Sequence, residues 1–111
     1  MGTKYLQGNL EVEGYVSAEY YDATSDARLK ENFKTYVPQD SILHLPIYKY
    51  DFISGSKNQI GCKAQDLQKI CPEIVKENEN GFLSIQENKI IYLLIEEVKR
   101  LEKEIIELRG K

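Results

Sequence analysis

Glu87-Asn88-Lys89-Ile90-Ile91-Tyr92-Leu93-Leu94-Ile95-Glu96-Glu97-Val98-Lys99-Arg100-Leu101-Glu102-Lys103-Glu104-Ile105-Ile106-Glu107-Leu108-Arg109 contains neither proline nor glycine. Within it Ile91, Leu94, Val98, Leu101, Ile105 and Leu108 recur at alternating spacings of three and four. That is the seam of a coiled coil, with Ile, Val and Ile at one core position and three leucines at the other. A helix can also bury such a face within its own monomer, but sustained heptads favour self-association. On residue choice alone the alternation suits a two-stranded coil. Ile90 and Ile95 widen the apolar face only at the start. The helix is therefore expected to dock on a globular part there and then leave as a coiled coil over 87–109. Glu97, Lys99, Arg100, Glu102, Lys103, Glu104 and Glu107 are expected to solvate the remaining faces.

Upstream of this helix the segments are short. Residues 73–85 hold two strand-like pieces, Ile74-Val75 and Phe82 to Ile85, around the turn Asn78-Glu79-Asn80-Gly81. Ala64 to Ile70 has helical spacing with Leu67 and Ile70 inward, and Pro72 ends it. Residues 47–53 and 59–63 flank Gly55-Ser56-Lys57-Asn58 and read as a β-hairpin. Ser41 to Leu45 reads as one helical turn, ended by Pro46. Together these predict an α+β class, a small mixed domain with short helices and hairpins. Residues 8–21 differ, because Leu10, Val12, Val16, Ala18 and Tyr20 share one parity and Asn9, Glu11, Glu13, Ser17 and Glu19 the other. This is a strand pattern with one buried face and no local partner strand. A ribbon of that kind is marginal alone, so it is expected to pack on other chains.

Composition narrows the classes further. The 111 residues carry a net charge of −3, with a pI near 5.2, which argues against a nucleic-acid partner. Lys4 against Glu11, Glu13, Glu19 and Asp22 gives residues 1–24 all of that charge. No apolar run approaches the roughly 18 residues of a membrane span, and no signal peptide is read. Cys62 and Cys71 lack a second pair, and His44 is the one histidine, so no metal or other cofactor is expected. Both cysteines read as reduced structural thiols. His44, between Leu43 and Leu45, reads as a packed histidine. Tyr5, Tyr15, Tyr20, Tyr21, Tyr48 and Tyr50 read as packing and interface residues rather than as a sugar-binding set.

The chemistry-bearing stretch is Ser25-Asp26-Ala27-Arg28-Leu29-Lys30-Glu31-Asn32-Phe33. Ser25 or Asp26 is a good cap for a short helix through residues 28–33, which would allow the serine and the lysine to meet. A serine hydroxyl needs a base, and a lysine supplies one where burial depresses its pKa. A capping serine and a solvated amine give the same spacing without any chemistry. Asp26 is either a cap or a group that orients Lys30; Arg28 is either a solvated charge or a contact to a neighbouring chain.

This string resembles the opening signature of the intramolecular chaperone auto-processing domains. That family lies at the C-termini of phage endosialidases, tailspikes and tail fibres, and occurs in myelin regulatory factor. Further motifs follow in the family's order: Tyr48-Lys49-Tyr50, Gly61-Cys62-Lys63-Ala64-Gln65-Asp66, Pro72-Glu73-Ile74-Val75 and the long final helix. Lys63 stands where the family usually has an apolar residue, Asp66 where it has Glu, and Phe33 where it has Ile. These departures bear on packing and leave Ser25 and Lys30 untouched.

The resemblance implies a homotrimer in which residues 1–24 end a fibre or tailspike stem and residues 25–111 register that stem. It implies a cut between Thr24 and Ser25, with Ser25 as nucleophile and Lys30 as base. Residues 1–24 would stay with the virion fibre and residues 25–111 would be released, in the host cytoplasm during assembly. The partners it implies are two further copies and the stem of the same polypeptide. Two other readings keep the fold: a trimerisation tip that is never cut, and a receptor-binding fibre tip.

Overall fold

The computed structural model describes residues 2–111, which divide into two compact units, one running up to Lys34 and one spanning Thr35–Lys111. Among the described residues, the strands and the two α-helices all lie in the second unit. β1 (Tyr48–Tyr50) pairs antiparallel with β2 (Gln59–Gly61), with Tyr48 opposite Gly61 and Tyr50 opposite Gln59. β3 (Val75–Glu77) pairs antiparallel with β4 (Leu83–Ile85), with Val75 opposite Ile85. Between the hairpins lies α1 (Ala64–Ile70), and α2 (Ile90–Arg109) closes the chain. The class is thus mixed α and β, with short strands and a long C-terminal helix.

The turns follow from their residues. In the first hairpin Asp51 Oδ1 accepts from Asn58 N at 2.7 Å, and Asn58 takes a left-handed φ of 57°. In the second, Asn78 Oδ1 accepts from the backbone N–H groups of Asn80 and Phe82 at 3.0 Å each. Gly81 completes that turn at φ 82°, a conformation that costs glycine nothing. α1 stops at Ile70, and Pro72 then opens a 3-10 turn, Pro72–Ile74. Ile74 therefore belongs to that turn and not to β3.

The core is small: Ile42, Leu67, Ile70, Cys71, Ile74 and Leu93, flanked by Leu45, Val75, Ile85 and Ile90. Leu67 is wholly enclosed. Main-chain bonds stitch the loops to it, from Gln39 N to Ile70 O at 3.0 Å and from Gln86 N to Ile74 O at 2.8 Å. The base of α2 docks here, through Ile90 as expected but with Leu93 in place of Ile95, which is exposed. Glu97 is buried rather than solvated. It accepts from Ser41 Oγ at 2.6 Å and from Arg100 Nε at 2.9 Å. The docked stripe of Ile90, Leu93 and Glu97 lies about a quarter turn round the helix from the heptad seam. The seam residues Ile91, Leu94, Val98, Leu101, Ile105 and Leu108 are 39% to 68% exposed, so the single chain leaves that face uncovered.

Residues 8–21, expected to pair as a strand only with other chains, form no strand in the single chain. A strand needs a neighbour for its backbone donors and acceptors, and no other strand is present among the described residues of the first unit. One further expectation is corrected: His44 is not packed. It is exposed at the end of the 3-10 turn Ile42–His44, with Nδ1 2.7 Å from Asp40 Oδ1. Ile42, two residues earlier in the same turn, fills the core position instead.

Candidate functional site

Ser25 and Lys30 meet in the first unit. Lys30 Nζ donates to Ser25 Oγ at 2.6 Å. The local structure that brings them together is not the expected helix through residue 33. It is a single 3-10 turn, Ala27–Leu29, after which Lys30 is extended at φ −123° and ψ 151°. Asn32 then adopts a left-handed φ of 56°, which a right-handed helix cannot contain.

Asp26, not Ser25, caps this turn. Its Oδ1 accepts from Arg28 N at 2.9 Å. The Arg28 side chain folds back on the same carboxylate, with Nε 3.1 Å from Oδ1 and Nη2 2.8 Å from Oδ2. Hydrogen bonds from the Arg28 side chain, and then from its backbone N–H, hold the Asp26 carboxyl below the usual range for aspartate. The guanidinium of Arg28 is correspondingly raised by the same contact. Asp26 makes no hydrogen bond to Lys30 among the described residues, and Arg28 is engaged within its own turn.

The arrangement joins a hydroxyl to an amine at hydrogen-bonding distance, one residue after Thr24. With the amine protonated, the lysine donates. With the amine neutral, the same contact reverses, and the serine donates its proton to nitrogen. Ser25, Lys30 and Thr24 are all exposed in the single chain.

The remaining sequence-nominated residues fall elsewhere. The six seam residues lie along α2. Cys62 and Cys71 are free thiols, half-buried and buried respectively. Burial first, and then the Glu87 carboxylate, push the Cys62 thiol up, away from the reactive thiolate. Lys63 sits with Nζ 4.7 Å from the centre of the Tyr48 ring, so its charge is stabilised by an aromatic face where an apolar side chain was expected. Asp66 Oδ2 is enclosed without a hydrogen-bond donor among the described residues.

Sequence reasoning missed the Ser41–Glu97 tie and a second polar cluster. In the latter, Tyr36 Oη donates to Glu73 Oε1 at 3.0 Å and lies 3.1 Å from Cys71 Sγ. Desolvation, and then the bond to Cys71, push the Tyr36 hydroxyl well above its usual range. None of these pairs has a fixed spacing that a linear pattern would reveal. No cluster of three or more His, Cys, Asp or Glu residues among those described is arranged to hold a metal, and no helix is long and apolar enough to cross a membrane.

A short module of mixed α and β structure, preceded in sequence by a serine–lysine pair at hydrogen-bonding distance, is the class these features define. Residues 25–76 match the model of the family described as chaperone of endosialidase, Peptidase S74, and the match opens on Ser25 itself. The whole chain is similar to the long tail fiber protein Gp37 of Enterobacteria phage K3, at 33% identity over 97% of this chain and 10% of that protein. It is similar also to Gp37 of Enterobacteria phage M1, at 32% identity over 97% of this chain and 45% of that protein. The chain thus spans less than half the length of these relatives. No solved structure matches it.

Proposed function

We propose that residues 25–111 are an intramolecular chaperone for a phage tail-fibre stem, and that the module releases itself by cutting the chain between Thr24 and Ser25. The observation that carries this reading is the 2.6 Å contact between Lys30 Nζ and Ser25 Oγ, at the residue where the family match begins. The similarity to long tail fiber proteins supports the kind of stem involved.

In the proposed reaction Ser25 Oγ attacks the Thr24 carbonyl carbon, and Lys30 takes the hydroxyl proton. The C–N bond to Ser25 breaks, and Lys30 returns the proton to the leaving amine. The product is an ester between Thr24 and the Ser25 side chain. Water then adds to that ester and frees a Thr24 carboxylate and a chain that begins at Ser25. A lysine serves as base only where water is excluded. Both groups are open to water in the single chain, so the reading requires other copies to cover them. A homotrimer held by the exposed α2 seam supplies those copies. It also lowers the entropy of registering three stem strands, which pair non-locally and slowly. Removal of the seed then leaves a stem whose persistence is kinetic.

The same exposure favours one second reading, a structural trimerisation tip that never cuts. Intact mass of the purified chain separates the two. The proposed reaction yields a fragment starting at Ser25 from the wild type and none from Ser25→Ala. An uncut wild-type trimer selects the second reading.

A further inference from the structure

Resting on the self-processing reading above, we infer that Asp26 is a positioning residue for the Ser25–Lys30 pair, acting through the main-chain turn that it closes and not by touching Lys30.

The geometry demands some such device. Residues five apart in an extended chain have Cα atoms about 16 Å apart, too far for a serine and a lysine side chain to meet. In a regular α-helix, side chains five apart point about 140° away from each other, and the residues that do meet are three or four apart. Neither regular conformation brings Lys30 onto Ser25. One tight turn followed at once by extended backbone does. Leu29 N donates to Asp26 O at 3.0 Å and Lys30 N donates to Ala27 O at 3.1 Å, and Lys30 itself is extended. The chain reverses over three residues, and the long lysine side chain returns to the hydroxyl at the start of the turn.

Asp26 is where that turn is fastened. Its carboxylate accepts the Arg28 backbone N–H, which has no partner inside the turn. Both carboxylate oxygens are then gripped by the Arg28 guanidinium at 2.8 to 3.3 Å, which fixes the rotamer that makes the cap. The ion pair itself is solvent-exposed and contributes little binding energy. Its consequence is geometric. Without the cap the turn competes with many open conformations, and the amine spends less time against Ser25 Oγ. A rate that depends on a preformed contact falls steeply when that contact loosens.

The test uses the full chain with Asp26→Ala and Asp26→Asn. Asparagine still accepts the Arg28 N–H and caps nearly as well as aspartate, but lacks the charge. Asp26→Ala is expected to assemble as the wild type does and to cut roughly 10- to 100-fold more slowly. Asp26→Asn is expected to recover most of the rate. A second readout is independent of cleavage: the nuclear Overhauser effect between Ser25 Hβ and Lys30 Hε. It should vanish in Asp26→Ala and persist in Asp26→Asn. That pattern in a wild type that does not cut would support the positioning role while removing the self-processing reading alone. The inference is overturned if the Overhauser effect survives in Asp26→Ala, if Asp26→Ala cuts at the wild-type rate, or if Asp26→Asn is as slow as Asp26→Ala.

Discussion

Ser41 Oγ donates to Glu97 Oε1 at 2.6 Å, joining residues 56 apart in sequence. The same hydroxyl accepts from Leu43 N at 3.1 Å and so caps the turn that carries Ile42 into the core. Glu97 also holds Arg100, whose Nη1 reaches Glu104 Oε1 at 2.7 Å. A charge-assisted bond thus fixes the base of α2 and its rotation about its own axis. That rotation turns the heptad seam away from the module's own core.

Acid is expected to loosen this attachment. Hydrogen bonds from Ser41, and then from Arg100, hold the Glu97 carboxyl below the usual glutamate range. A folded value below the unfolded one stabilises the native state above the ordinary glutamate pKa of about 4.3, and the stabilisation is lost as pH falls through the folded value. Asp40, lowered by the Ser41 N–H and then by His44, adds a contribution of the same sign. Glu97→Gln should therefore lower the thermal midpoint at neutral pH and flatten its decline below about pH 4. Equal acid slopes for wild type and Glu97→Gln, measured by circular dichroism melts, would remove Glu97 from this role.

The uncovered seam leads to a second expectation. Val98→Asp with Leu101→Asp places carboxylates where apolar side chains would meet between copies, which costs several kcal/mol per unpaired buried charge. Both positions are exposed in the single chain, so the fold of one copy should survive. Sedimentation should show a trimer for the wild type and a folded monomer for the double variant. A wild type that sediments as a monomer at micromolar concentration removes the coiled coil.

Residues 8–21 should behave as strand only in company. Their apolar parity has no partner among the described residues of the first unit, and Tyr5, Leu6, Leu10, Tyr15 and Tyr20 are all highly exposed there. Hydrogen exchange should be fast over 8–21 in the Val98→Asp/Leu101→Asp chain and slowed by assembly in the wild type. Equal, fast exchange in both would leave these residues without the stem role.

Much of the second unit was legible because its signals are local. Asn78 to Gly81 carries its own turn chemistry, and Leu67 with Ile70 sets the buried side of α1. Pro72 cannot continue a helix, and α1 stops before it. What was misread depended on distant partners or on competition between local structures. Glu97 lies in a run of charges, and only its meeting with Ser41 buries it. Leu93, rather than Ile95, anchors α2 because the docked face is set by that same tie. Ser25 and Lys30 lie in contact, but not by way of the helix that the sequence suggested. Asp26 and Asn32 favour a short capped turn and a left-handed residue over helix continuation, and the extended Lys30 makes the contact.

The chemistry gives the most exposed prediction. If Lys30 is the base, Lys30→Ala removes it, and His44, which pairs with Asp40 in the other unit, is the chain's one histidine. Loss of a general base typically costs about 10²- to 10⁴-fold. Lys30→Arg is the sharper variant. A guanidinium keeps the charge and the hydrogen bond to Ser25 Oγ, so a lysine needed only for structure would be replaced well. A guanidinium also stays protonated and accepts no proton, so a lysine needed as base would not. Lys30→Arg should therefore assemble normally and fail to cut, by intact mass over hours. The wild-type rate should fall as pH falls, since the amine has to be neutral to take the serine proton. The double variant that dissociates the copies should also stop the reaction, because it exposes Ser25 and Lys30 to water. Wild-type cutting in Lys30→Arg, with the same pH profile, would show that the 2.6 Å contact is structural and that another group activates Ser25.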